Sequence, residues 1–429
     1  MKRLIILFVA VMGTFAANAQ EASEKVLTLS LEEAEQFAVD HNRTLANAAI
    51  DVQKAQANKW KAIASMLPQV KGTVDYSNYF GYRMSIGGMD IAMPPYANLG
   101  VTSSVAFNGV MAVSVGMAKI SRKMADISLK KSERDIRDQV KELYFSALVT
   151  ESSLALLKEN LKSMNKLYEV TQNSVNVGVA EQTSADQLKV QAASMEATIN
   201  STERALEMVY NMMRLQLTLD EDVKIVLTQT VNDLLDLEYI DSLMSETLEL
   251  DRNYDYQLLK NSTELARKQV TASSLSNTPT LSVFHQYTYK HYFSNEMTMN
   301  MTPPNMMGVS LSIPIFTSLA NTASHKDAKL AYDKQLNTLM DTELALKVQH
   351  SQMVFNLKSA VEKYHTQRQG FEVAQRVFDN VTKKYEHGIA SSLDVTNAGT
   401  NLINAQASYV QSVLEIVDDA ISLSEILNK

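Results

Sequence analysis

The chain has 429 residues and no cysteine. It can form no disulfide, and it offers no thiol for a lipid anchor at a processed N-terminus. Proline and glycine are also scarce, at 7 and 13 residues, and they are unevenly spread. All the prolines fall in two windows: Pro68, Pro94 and Pro95, then Pro279, Pro303, Pro304 and Pro314. Residues 117–177 and 179–278 contain neither residue. Helix interiors exclude both, because proline removes a donor and glycine loses the most entropy. Runs this free of breakers predict helices far longer than the usual dozen residues; about 60 residues of helix extend about 90 Å. Long apolar runs are missing too. One stretch, Leu4 to Phe15, follows Lys2 and Arg3 and precedes Ala17-Asn18-Ala19. This pattern predicts a signal peptide over 1–19, with Gln20 first in the exported chain. No later stretch is long and apolar enough for a membrane-spanning helix.

A formal net charge of −8 argues against a nucleic-acid partner. The histidines at 41, 285, 291, 325, 350, 365 and 387 fall into no metal-ligand spacing. No nucleophile–base set, phosphate-cradling glycine loop or paired catalytic carboxylates stand out, so neither an enzyme nor a bound cofactor is expected.

What is present is repeated. SVNVGVAEQTSAD (174–186) and KYEHGIASSLDV (384–395) each carry one glycine inside a long helical run, 210 residues apart. Before Gly178, Leu157, Leu161, Met164, Tyr168, Thr171 and Val175 step by four and three. After it, Leu188, Ala192, Met195, Ile199 and Thr202 do the same. Two such seams joined at a glycine predict an antiparallel helical hairpin. Phe371, Ala374, Phe378, Val381 and Tyr385 repeat the first seam around Gly388. Thr183 with Asp186, and Ser391 with Asp394, read as capping boxes. Upstream, DHNRTL (40–45) matches DRNYDY (251–256). The chain reads as an internal duplication.

The breaker windows alternate instead. Val70, Val74 and Tyr76 oppose Lys71, Thr73 and Asp75, and Leu281, Val283, Tyr287 and Tyr289 oppose Thr280, Ser282, Gln286 and Thr288. GVTSSVAF from Gly100 and GVSLSIPIF from Gly308 read as returning strands. Strands apolar on one face and polar on the other suit a membrane barrel. Four strands cannot close one, and open edges are not tolerated in lipid, so several copies must contribute. A soluble ribbon in each repeat, within a non-conducting coiled-coil envelope protein, is the alternative from another class.

LSLEEAEQFAVDHN (29–42), LPQVKGTVDY (67–76), GVSLSIPIF (308–316) and GIASSLDV (388–395), in this order and spacing, resemble the TolC-like outer membrane efflux protein family. The chain departs from that pattern at Asn42-Arg43 and Asn253-Tyr254, where the family often has Asn-Pro, and it has no long C-terminal tail. The resemblance implies a mainly α fold with a small β portion. It implies a homotrimer with one 12-stranded outer-membrane β-barrel in lipid, continued by a periplasmic α-helical coiled-coil tunnel. The divisions expected are a first repeat at 20–219 (strands about 68–82 and 99–108, tip at 178), an equatorial segment at 220–247, and a second repeat at 248–429 (strands about 279–292 and 307–316, tip at 388). The implied role is an exit duct for tripartite efflux or type I secretion. It would work with a periplasmic adapter (membrane fusion) protein and an inner-membrane RND or ABC transporter. The resemblance places Gly178, Val179, Gly388 and Ile389 at adapter-docking turns, and Asp394, Asn397, Thr183 and Ser184 at a periplasmic constriction. Asp394 reads equally as a helix cap and as one of three carboxylates about an axis. The loop 295–307 holds five methionines, a composition able to bind Cu(I) but equally that of a flexible outer loop.

Overall fold

The computed structural model describes residues 25–294 and 303–429. The signal peptide expected at 1–19 and most of the methionine-rich loop lie outside the described residues. The described part opens with strand β1 (Val26–Leu29) and helices α1 (Leu31–His41) and α2 (Arg43–Ala64). Ser30 starts α1 with a capping box, its N–H donating to Glu33 Oε2 at 2.8 Å. Then come β2 (Gln69–Ser77), a hairpin of β3 (Arg83–Ile86) and β4 (Met89–Ala92), and β5 (Tyr96–Phe107). Helices α3 (Gly109–Asn176) and α4 (Gln182–Gln216) follow. A crossover of β6 (Lys224–Leu227), α5 (Val231–Leu234) and α6 (Leu237–Met244) leads to α7 (Tyr254–Leu275). The chain closes with β7 (Thr280–Tyr292), β8 (Asn305–Ser312), α8 (Ala320–Glu386) and α9 (Ser392–Leu427). Helices α3 and α8 run 68 and 67 residues, about 100 Å each. The fold is mainly helical with a small strand portion.

Element ends depart from expectation for identifiable reasons. Seven of the thirteen glycines lie between Gly72 and Gly116, yet helix α3 starts at Gly109 and passes through Gly116. A Cβ on Gly109 would meet Leu275 Cδ1 at 3.1 Å, so the glycine lets α3 approach the end of α7. Strand β2 stops at Ser77 rather than near 82. Asn78 Oδ1 accepts from Phe80 N–H at 2.8 Å, and Phe80 takes φ 50°, an Asx-type turn out of the ladder. Strand β8 ends at Ser312 rather than 316, since Pro314 brings no N–H to a ladder. Ile313 and Ile315 therefore lie past the strand.

The helical stretch between β1 and β2 is broken at Asn42, whose ψ of 125° is extended. Its Oδ1 accepts from Thr44 N–H at 2.8 Å and caps α2, while its Nδ2 donates to Gln216 O at 3.0 Å, at the end of α4. Asn253 does the same ahead of α7. It accepts from Tyr256 N–H at 3.0 Å and donates to Ile426 O at 3.0 Å, near the end of α9. Both asparagines are buried. Helices α4 and α9 also end alike, through left-handed Thr218 (φ 56°) and Asn428 (φ 57°), the usual C-terminal cap conformation.

Strands β1 and β6 pair in parallel, which ties the start of the chain to the crossover. Tyr144, fully buried on α3, donates its hydroxyl to Leu29 O at 3.0 Å beneath them. This pair was not legible in the sequence, being four residues on each side. Strands β2, β5, β7 and β8 form one antiparallel sheet in that order. Each half of the chain supplies two strands, joined by β5–β7 pairing. Below the sheet, α2, α3, α7 and α8 pack side by side, and further down the α3–α4 and α8–α9 hairpins pack on each other.

Candidate functional site

The sheet has two chemically different faces. Register puts Val74, Leu99 and Tyr289 in one row, and directly paired residues share a face. The same face carries Val70, Val101, Val283 and Leu281, with Val309 and Leu311 on β8. The other face carries Lys71, Thr73, Asp75, Asn98, Thr102, Gln286, Thr288 and Lys290. Lys290 lies 3.9 Å over the Tyr96 ring. His285 falls on the apolar face, paired with Ser103 and Met307. The apolar face is uncovered: Val70 and Val74 are 71% and 77% exposed. Among the described residues, β2 and β8 each have one unpaired edge.

At the other end of the long helices lie the two glycine turns. Gly178 has φ +79° and Gly388 φ +71°, the left-handed region where a side chain is strained. Each N–H bonds back into its helix, Gly178 to Val175 O and Gly388 to Tyr385 O, both at 2.9 Å. Val179 and Ile389 follow, 81% and 75% exposed. The hairpins touch through an apolar cluster of Met164, Leu167, Leu188, Met195, Phe378, Val395 and Leu402. Polar contacts between the hairpins flank it. Thr171 and Tyr385 share a hydroxyl hydrogen bond at 2.7 Å, Ser392 Oγ donates to Gln187 Oε1 at 2.7 Å, and Lys166 pairs with Glu386 at 3.4 Å. Of these residues, the sequence singled out Thr171 and Tyr385 only as seam positions. Gln187 and Ser392 carried no signal.

The start of α9 is a full capping box. Asp394 Oδ2 accepts from Ser391 N–H at 2.9 Å and from Ser391 Oγ at 2.7 Å, and Asp394 N–H donates to Ser391 Oγ at 3.2 Å. The Ser391 backbone bond, then its hydroxyl, hold the Asp394 carboxyl below the usual aspartate range. The box expected at Thr183 and Asp186 is absent. Helix α4 begins at Gln182 with Glu181 as its uncapped N-cap residue. Thr183 lies inside the helix and donates to Glu181 Oε2 at 3.2 Å, and Asp186 accepts from Gln182 Nε2 at 2.9 Å. Glu181 stands where Ser391 stands, and Ser184 where Asp394 stands, so the carboxylate has moved to the position that should accept the bond from N3. Ser184 is half-buried, while Thr183, Asp394 and Asn397 are exposed. Within one chain, Asp394 and Asn397 are a turn apart on α9 and Thr183 and Ser184 lie on the neighbouring hairpin. No group of three metal-ligating side chains occurs among the described residues. None of their helices is long and apolar enough to cross a membrane.

The pattern of the outer membrane efflux protein family matches residues 36–214 and 248–429. Outer membrane protein TolC of Vibrio cholerae is 22% identical over 450 residues, spanning 99% of this chain and 97% of that protein. Among solved structures, VceC of Vibrio cholerae superposes with a TM-score of 0.77 at 17% identity, covering 92% of this chain and 95% of that one. The MtrE outer membrane channel of Neisseria gonorrhoeae, solved in an open state, gives 0.76 at 15% identity, covering 92% and 88%. At these identities the superpositions establish a shared fold.

Proposed function

The chain belongs to the outer membrane efflux protein family, and from this we propose that it is the trimeric exit duct of a tripartite efflux or type I secretion system. Three copies close their four-stranded sheets into one 12-stranded barrel in the outer membrane. Their helical hairpins continue the barrel as a tunnel through the periplasm, each copy contributing two matching halves of a duplicated chain. Substrate arrives from an inner-membrane RND or ABC transporter through a periplasmic adapter, and the duct conducts it passively.

The observation that carries this reading is the sheet, apolar on one face, polar on the other, and open at β2 and β8. Lipid tolerates no open edge, and a non-conducting scaffold needs no such sheet. The helices beneath each edge support it. Under β8, helix α8 leaves Met340, Leu344, Val348 and Phe355 exposed along one stripe. Under β2, α2 exposes Ile50 and Trp60, and lower down α4 exposes Met208, Met212 and Leu215. Two apolar edges on opposite sides of one chain suit heterologous contacts that close into a ring. At the tip, Val179 and Ile389 present exposed apolar side chains for the adapter, and three Asp394 carboxylates narrow the tunnel mouth. Light scattering on protein extracted from outer membranes in mild detergent tests the assembly. The expected mass is three chains, and a monodisperse monomer would contradict the reading.

A further inference from the structure

A cavity of about 350 Å³ opens between α3, α8, α9 and the start of α5. This is within the range of small-molecule sites. One wall is aromatic: the Phe371 and Tyr409 rings stack with centroids 5.5 Å apart and planes 9° from parallel. Leu148 and Val410 extend this apolar surface.

The polar lining includes one buried amide oxygen without a donor and one carboxylate. Gln406, 2% exposed, spends its amide nitrogen on Ser153 O at 2.8 Å and Ser153 Oγ at 3.0 Å. Its buried Oε1 accepts no bond from the protein. Thr230 Oγ1 donates away from the cavity, to Asp233 Oδ2 at 2.7 Å. Glu151, the single charged residue in the lining, accepts from Tyr210 Oη at 2.5 Å. A buried acceptor without a donor is destabilising, and a carboxylate favours a cation that brings N–H groups.

We propose that this cavity is a binding site for a small amphiphilic amine. Its ammonium group donates to Gln406 Oε1 and the Glu151 carboxylate, and its apolar body lies against Phe371, Tyr409 and Val410. Neutral alcohols lack the charge that Glu151 matches, and anions are repelled by it. Because the site joins both halves of the chain, an occupant ties α3 to α8 and α9 and stabilises the folded state by mass action. The proposal does not depend on the exit-duct reading.

Isothermal titration of the full-length protein in neutral detergent, with phenethylamine as the probe, tests it. Phenethyl alcohol and phenylacetate, of matching size, are the controls. The expected result is saturable binding of one amine per chain, at least tenfold tighter than the alcohol, with no binding of the carboxylate. Glu151→Gln, which removes the charge, and Val410→Phe, which fills the space, each weaken the amine at least tenfold. Circular dichroism and oligomeric mass establish that each variant is folded; if one is not, the other and the ligand series decide. Absence of saturable amine binding, equal binding of amine and alcohol, or unchanged affinity in a folded variant would overturn the proposal.

Discussion

Asp138 sits on α3 with its carboxylate largely withdrawn from water, 3.9 Å from Arg134 Nε. Burial pushes its pKa up to about 6, and neighbouring Glu425 and Asp135 add to the rise, against the pull of Arg134 and Lys141. The folded chain thus takes up a proton near pH 6, while the unfolded chain does so only near the ordinary 3.8. Stability from this group therefore grows as pH falls from about 6 to about 4, and is lost as pH rises. Asp138→Asn should stabilise the protein at pH 8 by about 2 kcal/mol, the shift's about 3 kcal/mol reduced for the water that still reaches the carboxylate, with the gain vanishing by pH 4, as read from thermal unfolding across pH. Arg134 keeps Asp135 and Glu425, at 2.8 and 3.1 Å, in the variant. Ser391 gives a second test at this scale. Ser391→Ala removes both hydroxyl bonds of the α9 cap, a loss of about 1 kcal/mol. Amide exchange across the first turn of α9 should quicken about fivefold, while the start of α4, which lacks a side-chain cap, should not change.

Among elements, the two asparagine joints have a measurable consequence. Asn42→Ala and Asn253→Ala each uncap a helix and leave a carbonyl at the end of α4 or α9 without its donor. Each should cost about 1–3 kcal/mol, seen as a lower melting temperature. The exposed stripe on α8 is the other element-level test. Leu344→Asp with Phe355→Asp puts two carboxylates where neighbouring copies should meet, and the extracted protein should then run as a monomer by light scattering. Element type was legible in the sequence because long helices exclude proline and glycine, and half-exposed strands alternate. Ends were less legible. Gly109 and Gly116 read as breakers although α3 runs through them, since nothing local announces that Leu275 needs the space beside Gly109. The break at Asn42 carries no proline or glycine, and while its cap on Thr44 is local, its bond to the carbonyl of Gln216 is distant in the chain. At the tip, the glycines and the Ser391–Asp394 box were readable as local geometry. The Thr183–Asp186 box was misread by two positions, because Glu181 gives no capping signal of its own. The contacts of Gln187 with Ser392 depend on two hairpins meeting, which no single segment encodes.

For the whole molecule, the account rests on the sheet and the hairpins serving one purpose. In the proposed trimer the sheet offers lipid its apolar face and a lumen its polar one, and the glycine turns hold the far end about 100 Å of helix away. The proposed trimer places Asp394 from each copy around that end, each held ionised by its Ser391 bonds. Like charges gathered about an axis attract cations and hinder anions. Planar-bilayer recording of the purified protein, alongside Asp394→Ala, tests this most directly. The account predicts small, cation-selective currents in the parent protein, and larger, less selective currents in the variant. Protein that inserts into the bilayer yet passes no current in either form would contradict it.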